Sequence, residues 1–326
     1  MGYQTGTADN TADLLNKLKG FASAQGWSIN KSQDNLLYLR QGANYWALEV
    51  QDDNLYVIAC TGFDDKKDCF EQPGASCQNS LHETKTCVTH LNAGAFVSYD
   101  FFGNAQYLHV CVQYTRGRFR HFGIGTLNKE GDYTGGQYAF GTFIAEGRER
   151  RWNHASHVFG MSSGSLTDGA VVRADKLAKD TRTPWYFVGY NYTEDYASLE
   201  PNERGCYILT NGRADHAQHH PECLLLINSQ SKFGNMLLPV PNAPIAHCKD
   251  NLFRRLGTVP DRYECRMRGV IPRQILTIND ERWMIVPAAQ YQPANVDLAP
   301  PPRGGAAFAT ILLRTANWSS STRRQQ

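Results

Sequence analysis

Short apolar runs separated by turn-forming residues extend through most of the chain, and they constrain its fold more than any other feature. Gly, Pro, Asn or Asp bounds each run, which is typical of β-strands and the turns that join them. No helical pattern alternates regularly with these runs, so strand–helix–strand units and a parallel sheet are not expected. The predicted strands are 36–40, 45–51, 55–61, 95–101, 107–114, 118–127, 137–143, 185–190, 206–210, 224–228, 282–286 and 307–314.

One segment near the N-terminus has helical periodicity instead. Its apolar face comprises Leu14, Leu15, Leu18, Phe21 and Ala22. This spacing predicts an amphipathic helix near 11–25. Asn10 can cap the first turn, Asp13 places a negative charge at the positive end of the helix dipole, and Gly26 ends the helix. We therefore predict an α+β fold, with a mainly antiparallel, sandwich-like β body and an N-terminal amphipathic helix.

The order of these patterns predicts three regions. We expect a helical arm at 1–32, a β-rich body at 33–292 and an extended C-terminal arm at 293–326. If the body consists of two domains, we expect the boundary in the polar stretch 147–180, because that stretch has few strand signals. The C-terminal arm begins with a proline-rich connector and leads to the predicted strand 307–314, which we expect to add to a sheet of this chain or of another subunit.

The charge balance and the cysteine content limit the class of protein. Lys plus Arg number 33 and Asp plus Glu number 31, which gives a net charge of +2. A nucleic-acid partner is not expected at this charge, because nucleic-acid binding depends on a strong basic excess. No apolar run is long enough to span a membrane, and the N-terminus lacks the pattern of a secretion signal. The odd number of cysteines, 9, then indicates thiols in a reducing compartment.

Two groups of residues have the side chains that bind zinc. The first is a short-spaced loop of His216, His219, His220 and Cys223. This loop is either a zinc site or a polar turn before the predicted strand 224–228. The second group, the four cysteines from Cys60 to Cys87, lacks the close spacing of zinc knuckles, which favours buried thiols. We predict no cofactor, with zinc at the His216–Cys223 loop as the alternative.

Three further patterns have two interpretations each. The sequence 160–164 matches G-x-S-x-G, but no buried strand precedes it and no helix follows it, so we predict no catalytic residue there. Arginines interleave with aromatic residues in 116–122, a pattern that suits either single-stranded nucleic acid or a strand with one wet basic face and one buried aromatic face. The small net charge favours the strand. The tyrosine-rich segment 186–196 is either a carbohydrate-binding surface or a solvated hairpin edge.

Three stretches of the chain are also familiar in combination. The first combines 6–8, 14–18 and 26–27, the second is 117–136 (GRFRHFGIGTLNKEGDYTGG), and the third is 280–287 (DERWMIVP). Together they resemble structural proteins of tailed bacteriophages and prophages from the tail-tip or baseplate region, and the second stretch is the most specific. No catalytic residue is implied by this resemblance.

The resemblance implies a virion protein that is made and assembled in the cytoplasm of a bacterial host. Such a protein is not an enzyme, and it acts through contacts with other tail or baseplate proteins and with copies of itself. The residues predicted to make assembly contacts are Leu14, Leu18, Phe21, Trp27 and Trp318. The alternatives are a phage-encoded hydrolase and a host-surface module that binds carbohydrate.

Overall fold

The computed structural model describes a mainly antiparallel β fold with a helix near the N-terminus, which confirms the predicted fold class. The described residues are 1–51, 54–76, 87–88, 91, 94–141, 170–175, 184–189, 205–208, 240–247, 253–266, 271–278, 280–287 and 309–317. Their elements are β1 (Gly2–Ala8), α1 (Thr11–Ala24), β2 (Ser28–Gln33), β3 (Leu36–Gln41), β4 (Asn44–Gln51), β5 (Asn54–Cys60), β6 (Cys87–Val88), β7 (Phe96–Gly103), β8 (Tyr107–Thr115), β9 (Arg118–Thr126), β10 (Asn128–Lys129), β11 (Thr134–Gly141), β12 (Ala170–Asp175), β13 (Trp185–Gly189), β14 (Gly205–Ile208), β15 (Val240–Pro241), β16 (Pro244–His247), β17 (Phe253–Arg255), β18 (Gly257–Thr258), β19 (Arg262–Arg266), β20 (Ile275–Ile278), β21 (Glu281–Pro287) and β22 (Ala309–Asn317).

The helix α1 begins and ends where the sequence predicts. The Asn10 side chain accepts a hydrogen bond from the Asp13 amide at 2.9 Å, which satisfies one of the N–H groups that the first helical turn leaves without a partner. Gly26, just beyond the helix, has a φ of +85°, a conformation that side chains disfavour. The predicted cap and stop are therefore both confirmed.

We expect Asn10→Ala to lower the free energy of unfolding by about 1 kcal/mol, because the substitution removes this capping acceptor. Asn10→Asp, which keeps an oxygen acceptor at the same place, is the control and should change stability much less. Urea denaturation of both variants measures the difference. Equal midpoints for the two variants would show that the cap does not stabilise the helix.

The strands form three main sheets and a small ribbon. The central sheet has the order β1-β7-β8-β9-β11-β12-β13-β14-β16-β17. The N-terminal sheet has the order β2-β3-β4-β5-β6, and the C-terminal sheet has the order β15-β19-β22-β21-β20. β10 and β18 form the ribbon. Neighbouring strands in the described pairs are antiparallel, except that β13 and β14 are parallel.

The central sheet is the middle layer, and strand alternation gives it two apolar faces. Residues such as Phe101 and Val110 pack with α1 and the N-terminal sheet in one core cluster. Their neighbours in sequence, such as Phe102 and Cys111, pack with the C-terminal sheet in a second cluster. Successive side chains of a strand point to opposite faces, so one strand contributes to both cores.

Because both faces are covered, one detail predicted for β9 is wrong. Arg118 is exposed, but Arg120 is only 2% exposed, and its guanidinium lies 4.4 Å from the centre of the Tyr114 ring. The predicted strand is present, but its second face is buried rather than wet. A basic side chain is accommodated there by the stacked aromatic ring.

Parts of both predicted arms belong to the layered body. β1 pairs with β7 from Gly2 to Ala8, and α1 packs in the core between sheets. Near the other terminus, β22 pairs with β19 on one side and with β21 on the other, inside the C-terminal sheet of the same chain. The physical reason is that a strand with a partner on each side satisfies its backbone hydrogen-bonding groups on both sides. β12, which lies within the polar stretch 147–180, is a strand of the central sheet.

Candidate functional site

The structure places four of the predicted assembly residues inside the chain's own core. Leu14, Leu18, Phe21 and Trp27 are each at most 5% exposed and belong to one cluster with the central and N-terminal sheets. The chain's own sheets therefore cover these four side chains, and their contact with other subunits stays a prediction. Trp318 lies outside the described residues.

The predicted metal ligands also lie outside the described residues. These are His216, His219, His220 and Cys223. Among the residues that the structure describes, no group of three or more His, Cys, Asp and Glu side chains is arranged to hold a metal ion. Cys60 and Cys69, from the other cysteine group, are buried in the apolar cluster on the outer side of the N-terminal sheet.

A row of polar residues crosses the central sheet beneath the C-terminal sheet. Thr5 pairs with Asp100, Asp100 pairs with Cys111, and Cys111 pairs with His121, from β1 to β9. Residues that are directly opposite in a sheet point to the same face, so the four side chains lie side by side. Asp100, Cys111 and His121 are buried. Such polar groups require partners in the layer above them.

Asp100 finds its partner in the C-terminal sheet. One Nη atom of Arg273, two residues before β20, lies 2.8 Å from the Asp100 carboxylate and donates a second hydrogen bond of 2.8 Å to the Thr5 hydroxyl. The Tyr3 hydroxyl also donates to Asp100, at 2.9 Å. We call these four residues the Asp100–Arg273 clasp. Burial, the largest single effect, opposes the charge of Arg273, but the Asp100 carboxylate and the Tyr3 hydroxyl together outweigh it, so the pKa of the guanidinium is raised.

A second polar contact joins the same two sheets. The Tyr107 hydroxyl donates to Asp261 at 2.9 Å, and Asp261 also accepts from Arg314 at 3.1 Å. Arg314 in turn lies 2.6 Å from Glu281. Burial, followed by the nearby Asp261 carboxylate, raises the pKa of Tyr107, so this phenol remains a hydrogen-bond donor.

The turns that make these contacts have unusual backbone conformations. Asp261, Arg273 and Asp280 have φ values of +49°, +64° and +65°. For residues other than glycine this region is disfavoured, and it persists where surrounding contacts over-determine it. Two of the three residues, Asp261 and Arg273, are the ones that bind the central sheet. The polar contacts therefore hold the turns of the C-terminal sheet in place.

The chemistry of the buried layer suits cohesion better than nucleophilic attack. Cys111 Sγ lies 3.9 Å from His121 Nε2, an arrangement that could activate a thiol. However, burial and then the Asp100 carboxylate raise the pKa of Cys111 well above its usual value. The thiolate is the reactive form of cysteine, and this environment keeps the proton on sulfur.

The clasp positions an open sheet edge. β20 is the outermost strand of the C-terminal sheet in the part of the chain that the structure describes. Beside the clasp, Ile271 is 66% exposed, and at the far end of β20 Ile278 is 38% exposed. The strand itself, ILTI, contains no charged residue, no proline and no glycine.

The other described sheet edges have features that discourage strand addition. These features are Lys31 in β2, Arg254 and Arg255 in β17, Pro241 in β15, and a register shift between Gly6 and Ala8 in β1. In the part of the chain that the structure describes, the edge strand β6 and the ribbon strands β10 and β18 have two residues each. Charges, prolines, bulges and shortness are the usual means by which proteins keep edges from pairing with other chains. β20 has none of the first three, and it is bordered by exposed isoleucines.

Two features of the sequence, absent from the predictions above, indicate this edge and the clasp beside it. Residues 275–278 form a short apolar run, and only the dipeptide 279–280 separates it from the predicted strand 282–286 and its leading Glu281. Two apolar runs joined by an Asn-Asp pair are typical of a hairpin. Asp100 lies inside the predicted apolar strand 95–101, and such a position indicates a buried acid that needs a partner.

No protein-family model matches the chain, and no curated protein matches it at a significant level. Within the described part of the chain, no helix is both long and apolar enough to cross a membrane. A functional proposal for this protein therefore depends on its own residues.

Proposed function

We propose that this chain is a structural subunit of a tailed-phage virion, in the tail tip or baseplate, and that it acts through contacts with other particle proteins. The observation on which the proposal depends is the open edge at β20. An uncharged edge strand beside two exposed isoleucines is a surface that favours pairing with another chain. A protein that functions alone would be selected against such an edge, since it promotes aggregation.

The rigid support of this edge also favours an assembly role. Arg273 joins the clasp on one side of β20, and Asp261 binds the central sheet from a neighbouring turn. A strand that is held in place before it binds loses little conformational freedom on binding. The clasp would then act as a positioning device, and its buried acid and arginine need no catalytic role to account for them.

The resemblance noted in the sequence supports the same class. The stretch 280–287 includes β21, the strand that pairs with β20, and the stretch 117–136 includes β9 and the start of β11 in the central sheet. The stretches that motivate the hydrolase and zinc alternatives, 160–164 and 216–223, lie outside the described residues. Those alternatives therefore stay predictions.

Particles made by the encoding phage or prophage provide the test. We expect the chain to be present in purified particles by mass spectrometry, and we expect the double substitution I271E/I278E to reduce its incorporation at least tenfold. Both side chains are exposed, so the added charges should leave the fold intact while opposing burial at a contact. Circular dichroism of the purified variant checks the fold.

The matched control is Val97→Glu. Val97 is 50% exposed but lies in β7 of the central sheet, whereas β20 belongs to the C-terminal sheet. This variant adds the same charge at an exposed apolar position, and we expect it to enter particles normally. Absence of the chain from particles, or normal incorporation of the double variant, would contradict the proposal.

A further inference from the structure

We infer that the open edge of β20 pairs with the same edge of a second copy of this chain, as two antiparallel strands related by a twofold axis. This inference rests on the proposed assembly function and identifies one of its partners.

The backbone of β20 offers hydrogen-bonding groups on its outer side. Ile278 pairs with Glu281 across the two-residue turn to β21. The pair that closes such a hairpin is hydrogen-bonded, and hydrogen-bonded pairs alternate along an antiparallel ladder. Ile275 and Thr277, which alternate with the inward-bonded residues, therefore direct their N–H and C=O groups away from β21.

One register matches these groups between two copies. With the axis at Leu276, Ile275 of each copy lies opposite Thr277 of the other, so the outward-directed groups meet. Leu276 then lies opposite its own counterpart, and Gln274 lies opposite Ile278. The pairing extends over the whole strand without a gap.

The charge pattern favours a second copy as the occupant. Residues 274–278 are all uncharged, so self-pairing brings no like charges together. The same pairing at the β2 edge would bring Lys31 of one copy close to Lys31 of the other, and at the β17 edge it would bring arginines together. Like charges on opposing strands are destabilising. Among the described edges longer than two residues, β20 combines a regular strand with no obstacle to its own copy.

The apolar surface beside the edge would become continuous across the axis. Leu276 pairs with Trp283 and packs with Trp283, Ile285 and Tyr263 on one face of the C-terminal sheet. Ile278 lies on that same face, since residues two apart in a strand point to the same side. Two copies would thus join two such clusters and cover the exposed isoleucine. The ladder is short, so the association should be weak, with a dissociation constant on the order of 10–100 µM.

Two variants that introduce opposite charges at Thr277 test the inference. Thr277 is exposed and lies next to the proposed axis at Leu276. We expect the mass of the wild-type chain in sedimentation equilibrium to rise from 36.6 kDa toward twice that value with concentration. Thr277→Lys and Thr277→Glu should each stay monomeric alone, and an equimolar mixture of the two should associate. The opposite charges attract each other across the axis only if this edge pairs with itself, so association of the mixture is specific to that pairing.

The matched control is Ser32→Lys, which adds the same charge at an exposed position of the β2 edge and should dimerise like the wild type. A wild-type chain that stays monomeric at about ten times the expected dissociation constant, or a Thr277→Lys variant that dimerises normally, would overturn the inference. If the wild type is monomeric but Thr277→Lys is excluded from particles, the proposed function stands and the partner at this edge is a different protein. A wild-type dimer that is absent from particles overturns the proposed function alone.

Discussion

Replacing Asp100 by asparagine is expected to lower the free energy of unfolding by about 3 kcal/mol. The Asp100 side chain is 2% exposed and receives hydrogen bonds from both Arg273 and Tyr3. Removing one partner of such a pair leaves the other charge without compensation in a poorly hydrated place. Arg273 is 34% exposed and can regain some water, which keeps the expected loss at the lower end for buried pairs.

Urea denaturation of the purified chain measures this loss. The control is Arg255→Gln, which breaks the ion pair of Arg255 with Glu130, where both side chains are more than 40% exposed. An exposed pair contributes about 0–1 kcal/mol, so this variant should unfold close to the wild type. In hydrogen exchange, residues 271–287 of the Asp100→Asn variant should lose protection first, because the clasp holds the turn before β20. Equal stabilities of the two variants would show that the clasp does not join the sheets.

Acid is expected to destabilise the protein through His109. This side chain is buried between the central and C-terminal sheets, and its Nε2 atom lies 2.7 Å from the Tyr138 hydroxyl. Burial, followed by electrostatic interactions with Arg262 and His121, lowers the pKa of His109 well below its ordinary value of 6.5. The folded chain therefore keeps a neutral imidazole at a pH where the unfolded chain binds a proton.

The direction of the effect follows from this difference. Well above pH 6.5 the imidazole is neutral in both states, and its environment costs no stability. As the pH falls below that value, only the unfolded state takes up the proton, so stability falls by up to about 1.4 kcal/mol per pH unit from this residue. The loss continues until the pH reaches the lowered pKa of the folded state.

The measurement is the free energy of unfolding of the wild type and of His109→Gln between pH 7 and pH 5. The glutamine does not titrate and retains a polar group near the Tyr138 hydroxyl. Other titrating residues contribute equally to both proteins, so the difference between the two curves reports His109. We expect the wild type to lose stability more steeply with acid. Parallel curves would contradict a neutral, buried His109.

Local patterns were sufficient for the helix and for many of the strands. The run 107–114 and the strand β8 at Tyr107–Thr115 nearly coincide, because apolar residues bounded by turn residues specify an extended segment by themselves. The helix α1 was predictable for a similar reason, since its cap and its apolar face lie within a few turns of one another. The fold class was predictable as well, because it depends on which local elements occur and in what order.

The candidate site depended on contacts that no local pattern contains. Arg273 reaches Asp100 across 173 positions of the chain, and Tyr107 reaches Asp261 across 154. A residue's own neighbours in sequence carry no information on such a partner. The packing of α1 depends on distant segments in the same way, since its apolar face indicates burial but not which surface buries it.

The sequence by itself therefore determined the capped helix near the N-terminus, many of the strands and the mainly antiparallel fold class. Only the tertiary structure decided that β1 and β22 lie inside this chain's own sheets, that Arg120 is buried and that β20 is the outermost strand of the C-terminal sheet among the described residues. The physical reason is the distance along the chain over which each effect operates. The hydrogen bonds of a helix cap and the alternation of side chains in a strand involve only a few neighbouring residues. Whether a strand lies in the middle or at the edge of a sheet depends on segments far away in sequence that compete for its two sides.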